Sequence, residues 1–310
     1  MRTSEAMRIG LVLPMFTNDP DRVRSFASRA EQLGFDGVFA YDHLMPLGGP
    51  DDGPVLECFT TLAAVAAATS RIRLGTLVAR ASLRPVGLLA KLAVQLDLIS
   101  GGRAILAVGT GDELSKREHD AFGLPYMAVG ERREHLAETI RALGELFAGR
   151  PWGGGERVPP IEGPLVPRPL TRGGPPRWVG GTSRSVVRVA ARTADAWNGW
   201  GLDLERFGER VRLLRDESEA AGRAVEPTWG GIALVGRDAD DTARLAADRR
   251  ARGLDTEGVW IGTADDLSRR LGRLAAAGAS WAIVLPAGPT DRVDVLAELV
   301  LPRVRSEGGP

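Results

Sequence analysis

Three clusters in this chain carry residues able to do chemistry, and each follows a short apolar run. The first is Gly109-Thr110-Gly111-Asp112, behind the wholly apolar stretch 104–108. Such a run is the signature of a strand buried on both faces. Glycines at its carboxyl end let a flat ligand approach the backbone closely. Asp112 stands directly behind them, placed to act as a general acid or base; a plain strand-to-loop turn with an incidental Asp is the competing reading. The second cluster is Tyr41-Asp42-His43, closing the run 38–41. A His beside a carboxylate at a strand end suits proton transfer near neutral pH. Alternatively, Asp42 caps the next turn and His43 is simply solvated. The third is Gly180-Gly181-Thr182-Ser183, immediately before an amphipathic segment. Successive N–H groups and hydroxyls at a helix N-terminus bind phosphate, although Thr182 or Ser183 can equally be an ordinary N-cap. Trp197-Asn198-Gly199-Trp200 adds aromatic surface and an amide at a fourth strand end.

The elements that must position these clusters follow a repeated rhythm of apolar strand and amphipathic helix. Strands are expected at 8–13, 38–41, 72–78, 104–108, 177–179, 195–198, 228–235 and 281–285. Helices are expected at 21–33, 56–69, 85–100, 131–147, 183–193, 204–221, 240–252, 263–277 and 293–304. Eight strands alternating with helices in 310 residues predict an α/β fold, a (β/α)8 TIM barrel, whose function concentrates at the carboxyl ends of its strands. The competing doubly wound sheet is disfavoured because the first strand–helix turn, 13–16, lacks Gly-x-Gly-x-x-Gly. Residues 112–130 read as a polar connection. Residues 149–176 are rich in Gly and Pro without helical period; with no change of composition beyond them, they read as an insertion within a single domain, 1–310. Long insertions of this kind are usually lids or binding loops. Substrate choice is therefore expected to lie in 45–55, 114–129 and 149–176.

Composition removes several classes of function. Lys+Arg and Asp+Glu balance at 40 each, so no net positive charge draws the chain to nucleic acid or an anionic membrane. Cys58 is the single cysteine, which rules out an intrachain disulfide or a cysteine metal cluster. His43, His119 and His135 have no metal-ligand spacing, so no metal site is expected. No secretory leader is legible, and no apolar run approaches the roughly 18 residues of a membrane span. The expectation is a cytoplasmic protein.

In combination, Arg-Ile-Arg-Leu-Gly-Thr at 71–76, Ser-Gly-Gly-Arg at 100–103 and Trp-Val-Gly-Gly at 178–181 resemble the bacterial luciferase-like superfamily. Within it, the chain resembles the branch that uses the deazaflavin coenzyme F420. The resemblance runs through 7–14, 30–43, 70–78, 96–112 and 176–200. It implies an F420-dependent oxidoreductase that transfers a hydride between the deazaflavin C5 and a small-molecule organic substrate. The family's non-proline cis peptide, in a strand-three bulge that backs the ring, falls at Leu77–Val78, next to Ala79. Asp42 and His43 match the family's Asp-His pair, with His43 stabilising charge or shuttling a proton. Gly109, Thr110 and Gly111 would pass along the cofactor, and Gly180, Gly181, Thr182 and Ser183 would hold its phosphate. Asp112 stands where relatives often carry Glu, a departure that shortens the proposed acid. A second departure is the absence of lysine after Lys116, with Leu47 in place of an aromatic residue; together these imply an apolar pocket and a substrate other than glucose 6-phosphate. The alternative within the superfamily is an FMN-dependent monooxygenase using reduced flavin and dioxygen. A non-catalytic flavin-binding relative is a third reading, against which Asp42, His43 and Asp112 argue. The resemblance also implies a homodimer; the Ala-rich helix 56–68 could pack on a partner or on its own barrel.

Overall fold

The computed structural model describes residues 6–47 and 53–306. Its barrel strands are β1 Arg8–Val12, β2 Gly37–Ala40, β3 Arg73–Thr76 with β4 Ala79–Arg80, β5 Ala104–Gly109, β6 Arg177–Gly180, β7 Ala196–Trp200, β8 Glu226–Gly236 and, last in the chain, β10 Trp281–Pro286; β9 Val259–Thr263 lies outside the ring. All pair in parallel, and β10 returns to both β1 and β8, which closes the ring at eight strand positions. The connecting helices are α1 Pro20–Leu33, α2 Cys58–Ala68, α3 Val86–Ile99, α4 Leu114–Ala121, α5 Val129–Phe147, α6 Arg184–Thr193, α7 Leu204–Ala220, α8 Ala239–Ala251 and α9 Ala264–Ala276. The chain ends in a helical run from Arg292 to Ser306. The expected (β/α)8 barrel is therefore observed. No helix among the described residues is long and apolar enough to cross a membrane.

Local chemistry sets the element ends. α1 starts at Asp19, whose carboxylate accepts from Asp21 N and Arg22 N, continues through Pro20 and stops at the left-handed Gly34 (φ 88°). The barrel strands are short and buried, β5 along its whole length. Their outward side chains join one large apolar layer beneath the helices. Inside the ring, Phe39, Trp178 and Trp281 meet with centroids 5.7–5.8 Å apart and plug the lower half of the barrel.

The cis peptide that the resemblance implies is present, and the readings of 112–130, of the chain between the helices 240–252 and 263–277, and of 149–176 are revised. The third strand is interrupted by a cis peptide at Leu77–Val78. Gly75 pairs with Ile105 and Ala79 with Val108, so four steps on one strand face three on the other, a one-residue bulge. The Thr76 hydroxyl repairs the ladder there: it donates to Ala107 O (2.6 Å) and accepts from Ala107 N (3.0 Å). The polar connection 112–130 contains α4, and the expected helix after β8, α8, is followed by an unforeseen strand, β9, that pairs with the outer end of β8. Residues 149–176 do not cover the strands' carboxyl ends. They run back along α3 and α5 to the start of β6, with Glu138 of α5 accepting from the N–H groups of Glu156, Arg157 and Val158, and Asp97 of α3 holding Thr171. They are no lid on that end of the barrel.

The bulge throws Val78 against two neighbouring strands. A Cβ at Gly109 would lie 2.6 Å from one Val78 methyl, and at Gly180 2.5 Å from the other. Both glycines are thus demanded by packing. Gly180→Ala should destabilise the fold by about 1–3 kcal/mol through overpacking, read as a lowered denaturation midpoint, and Val78→Ala in the same chain should restore part of the loss. Unchanged stability in the single variant would mean that Val78 is not seated as described.

Candidate active site

A cleft of about 500 Å³ opens at the carboxyl ends of the strands, where barrel enzymes place their chemistry. Leu77 and Val78 from the bulge form part of its wall, joined by Gly109, Thr110, Gly111 and Asp112, by Gly180 and Gly181, and by Asn198, Trp200, Ile232 and Leu285. Phe16, Tyr41, His43 and Leu47 also line it, as do Asp42, Arg80 and the start of α4. Apolar groups dominate this surface. Burial of Tyr41 raises its phenol above the usual value, so it stays neutral. Ala79, expected beside the ring, is fully buried in the outer apolar layer and does not reach the cleft.

His43 and Asp42 have different surroundings. The Asp42 carboxylate is gripped in a fork by Arg84 (Nη1 to Oδ2 2.7 Å, Nη2 to Oδ1 2.9 Å) and accepts the Arg80 N–H at 3.0 Å. Arg84 also reaches Glu57 at 2.7 Å. Burial works against the Arg84 charge, but the two carboxylates more than offset it and hold its pKa above the ordinary value. Asp42 therefore clamps the end of β2 to the bulge. His43 faces the cleft, and its Nδ1 lies 2.7 Å from Glu118 Oε1. The other Glu118 oxygen accepts from Leu44 N (2.6 Å) and Arg80 Nη2 (2.6 Å). Glu118 is 2% exposed. Burial alone would raise its pKa, yet the His43 and Leu44 hydrogen bonds and the Arg80 charge take it down to about 2. An ionised carboxylate only accepts hydrogen bonds, so Nδ1 must carry the proton in this pair. Nε2 has no hydrogen-bond partner among the described residues.

Glu118 sits on α4, inside the stretch that reads from sequence as a polar connection. The usable signal was the start of that helix: Asp112 Oδ1 accepts from Ser115 N (2.9 Å), while Ser115 Oγ accepts from Asp112 N (3.1 Å), a reciprocal cap. Asp112, predicted as an acid or base, lies exposed at the rim with one oxygen committed to this cap. Its carbonyl accepts from the Tyr126 hydroxyl at 2.8 Å.

At the opposite end of the cleft, Gly180 and Gly181 contribute to the wall, whereas Thr182 and Ser183 lie beyond it and exposed. Ser183 is the N-cap of α6, accepting from Val186 N at 3.3 Å. Arg133 of α5 reaches the same first turn, donating to Ser185 Oγ at 2.9 Å. A helix N-terminus with a guanidinium alongside suits a phosphate. Inside the cleft, Arg80 is 3% exposed and its Nη1 has no partner. A buried unpaired guanidinium N–H is costly unless a ligand atom or water meets it. Apolar walls, one waiting donor and an anion-suited helix end fit a flat, phosphate-bearing cofactor. Among the described residues, no group of three or more metal-ligating side chains exists.

Residues 7–295 match the family described as luciferase-like monooxygenases. A curated relative, the F420-dependent glucose-6-phosphate dehydrogenase of Microbacterium testaceum, is 29% identical over 229 residues, covering 73% of this chain and 62% of that one. The chain spans about three fifths of the length of this and two further relatives with the same description. Among solved structures, an F420-dependent secondary alcohol dehydrogenase in complex with an F420-acetone adduct superposes with a TM-score of 0.83 at 18% identity, over 97% of this chain and 100% of that one. A riboflavin lyase with modified FMN and riboflavin superposes with a TM-score of 0.79 at 19% identity, over 98% and 92%. Fold, strand-end cleft and the match through nearly the whole sequence lead to one conclusion: the chain belongs to the luciferase-like monooxygenase family, a family of oxidoreductases.

Proposed function

We propose that the chain is a coenzyme F420-dependent oxidoreductase acting on a small, largely apolar organic substrate. The observation that carries this reading is the His43–Glu118 pair at 2.7 Å, set beside an apolar cleft. The curated F420-dependent relatives support the choice of cofactor. Bound F420 would supply or accept a hydride at its deazaflavin C5. Leu77 and Val78 would back the ring, Gly109 to Gly111 would run along it, and Gly180 to Ser183 with Arg133 would hold the phosphate. His43 Nε2 would give a proton to, or take one from, the substrate oxygen as its carbon gains or loses hydride. Glu118 would keep the imidazole oriented, with Nδ1 as donor to the carboxylate. Asp112 would serve this centre through α4, as its cap, rather than as an acid.

The relatives' printed activity points to glucose 6-phosphate, but the cleft does not favour a sugar phosphate. Arg80 is the one Arg or Lys in its described lining; its Nε and Nη2 are engaged by Asp42 and Glu118, which leaves only Nη1 for a ligand. The loop 45–55 borders the cleft at Leu47, and its residues 48–52 lie outside the described part. In this reading the enzyme works as a cytoplasmic homodimer, independent of nucleic acid and membrane; the family resemblance supports the dimer, and the balanced charge supports the absence of a nucleic-acid or membrane partner.

His43→Ala should lower turnover by about 10²–10⁴-fold while F420 affinity stays within a few-fold; parental turnover would remove His43 from the mechanism. Asn is as good an N-cap as Asp, so Asp112→Asn should keep most activity and Asp112→Ala should lose stability and some rate. Equal, severe rate losses in both would restore Asp112 as the acid. A short secondary alcohol should be oxidised faster than glucose 6-phosphate, and the opposite order would assign the sugar phosphate. Glu118 is also a pH device. Its folded pKa lies below the ordinary 4.5, so its stabilisation is complete above about pH 4.5 and is lost as pH falls towards about 2. Acid denaturation followed by circular dichroism should therefore show a shallower loss over that window in Glu118→Gln than in the parent; identical slopes would mean Glu118 is not held ionised.

A further inference from the structure

A second cavity of about 490 Å³ lies at the other end of the barrel, beneath the Trp178 and Trp281 plug. It is lined by the starts of β1, β3, β6 and β8 and by the turn 171–176, and four arginines face it: Arg8, Arg73, Arg172 and Arg177. Asp195 and Glu226 are the carboxylates in its lining, which leaves an excess of two positive charges. Those two are already engaged. Asp195 accepts from Arg177 N at 2.8 Å and pairs with Arg177 and Arg223, while Glu226 takes Arg8 (3.5 Å) and the Ser280 hydroxyl (3.0 Å). The guanidinium groups of Arg73 and Arg172 have no hydrogen-bond or ion-pair partner among the described residues. Arg73 is partly buried; that burial lowers its pKa and the charge of Arg8 lowers it further. The charge of Asp97 offsets this only in part, and both its oxygens also accept hydrogen bonds from Thr171.

We propose that this basin is an anion site, separate from the cleft, that takes a phosphate dianion, either free or as a small monoester. The unpaired guanidiniums offer forked N–H donors of the geometry that phosphate oxygens accept. A phosphate monoester carries close to two negative charges at neutral pH, which matches the excess in the lining. Arg8, stacked over Trp281 at 5.1 Å, is held in place beside them. The site lies across the plugged barrel from the chemistry, so a ligand there acts on stability or regulation and not on the reacting atoms.

The test is calorimetric titration of the full chain with inorganic phosphate and, separately, with glycerol phosphate, at constant ionic strength. Saturable binding is expected. Arg73→Gln and Arg172→Gln should each weaken it at least tenfold, and Arg133→Gln, at the cleft end, should leave that class of binding intact. Tighter binding of the ester would identify a phosphorylated metabolite, and tighter binding of the free ion would identify phosphate itself. Arg172 is exposed, so its variant decides the matter even if Arg73→Gln fails to fold. Absence of saturable binding, or binding untouched by Arg172→Gln, overturns the proposal whatever the cofactor of the cleft turns out to be.

Discussion

Everything at the mouth of this barrel depends on the buried charge of Arg80. Its backbone N–H and Nε hold Asp42, and its Nη2 holds Glu118. Three separated pieces of chain, the end of β2, the bulge and α4, are thereby fixed to one another. Arg84 and Glu57 extend the network to the start of α2. Breaking one partner of such a buried pair typically costs about 3–5 kcal/mol, because the other charge is stranded. The network gives less in net stability than in position, since it sets the imidazole of His43 against an ionised carboxylate at the edge of an apolar cleft.

The bulge and the charge network are parts of one arrangement. The extra residue between Gly75 and Ala79 lets the Thr76 hydroxyl take over ladder bonds and drives Val78 onto Gly109 and Gly180. It also brings Arg80 to the level of Asp42. Residues with no reactive group thus decide where the reactive ones stand. Below them, the aromatic plug of Phe39, Trp178 and Trp281 divides the barrel into an apolar upper cleft and a basic lower basin.

The barrel was legible in the sequence because parallel strands buried on both faces read as continuous apolar runs, and amphipathic helices alternate with them. What escaped were elements held by other forces. α4, Leu-Ser-Lys-Arg-Glu-His-Asp-Ala, has no apolar stripe; a reciprocal cap and the ion pairs of Glu118 hold it in place. β9 is half-buried along its whole length and lacks the strong pattern of the ring strands. Among site residues, His43 and the Gly109–Asp112 loop were visible as polar breaks after apolar runs. Glu118 was not, since an acid within a charged run looks solvated until the fold brings Arg80 and His43 to it. The Gly- and Pro-rich stretch 149–176 misled in the opposite sense: its composition marks irregular chain but does not say which end of the barrel that chain visits.

The central claim is that a deazaflavin occupies the cleft. Its most direct test is titration of the purified chain with F420 and, separately, with FMN, following the fluorescence of tryptophan, of which Trp200 lines the cleft. The account predicts saturable micromolar binding of F420 and much weaker binding of FMN. Preference for FMN would contradict it and move the chain to flavin and dioxygen chemistry; binding of neither would refute the assignment of the cleft as a cofactor site.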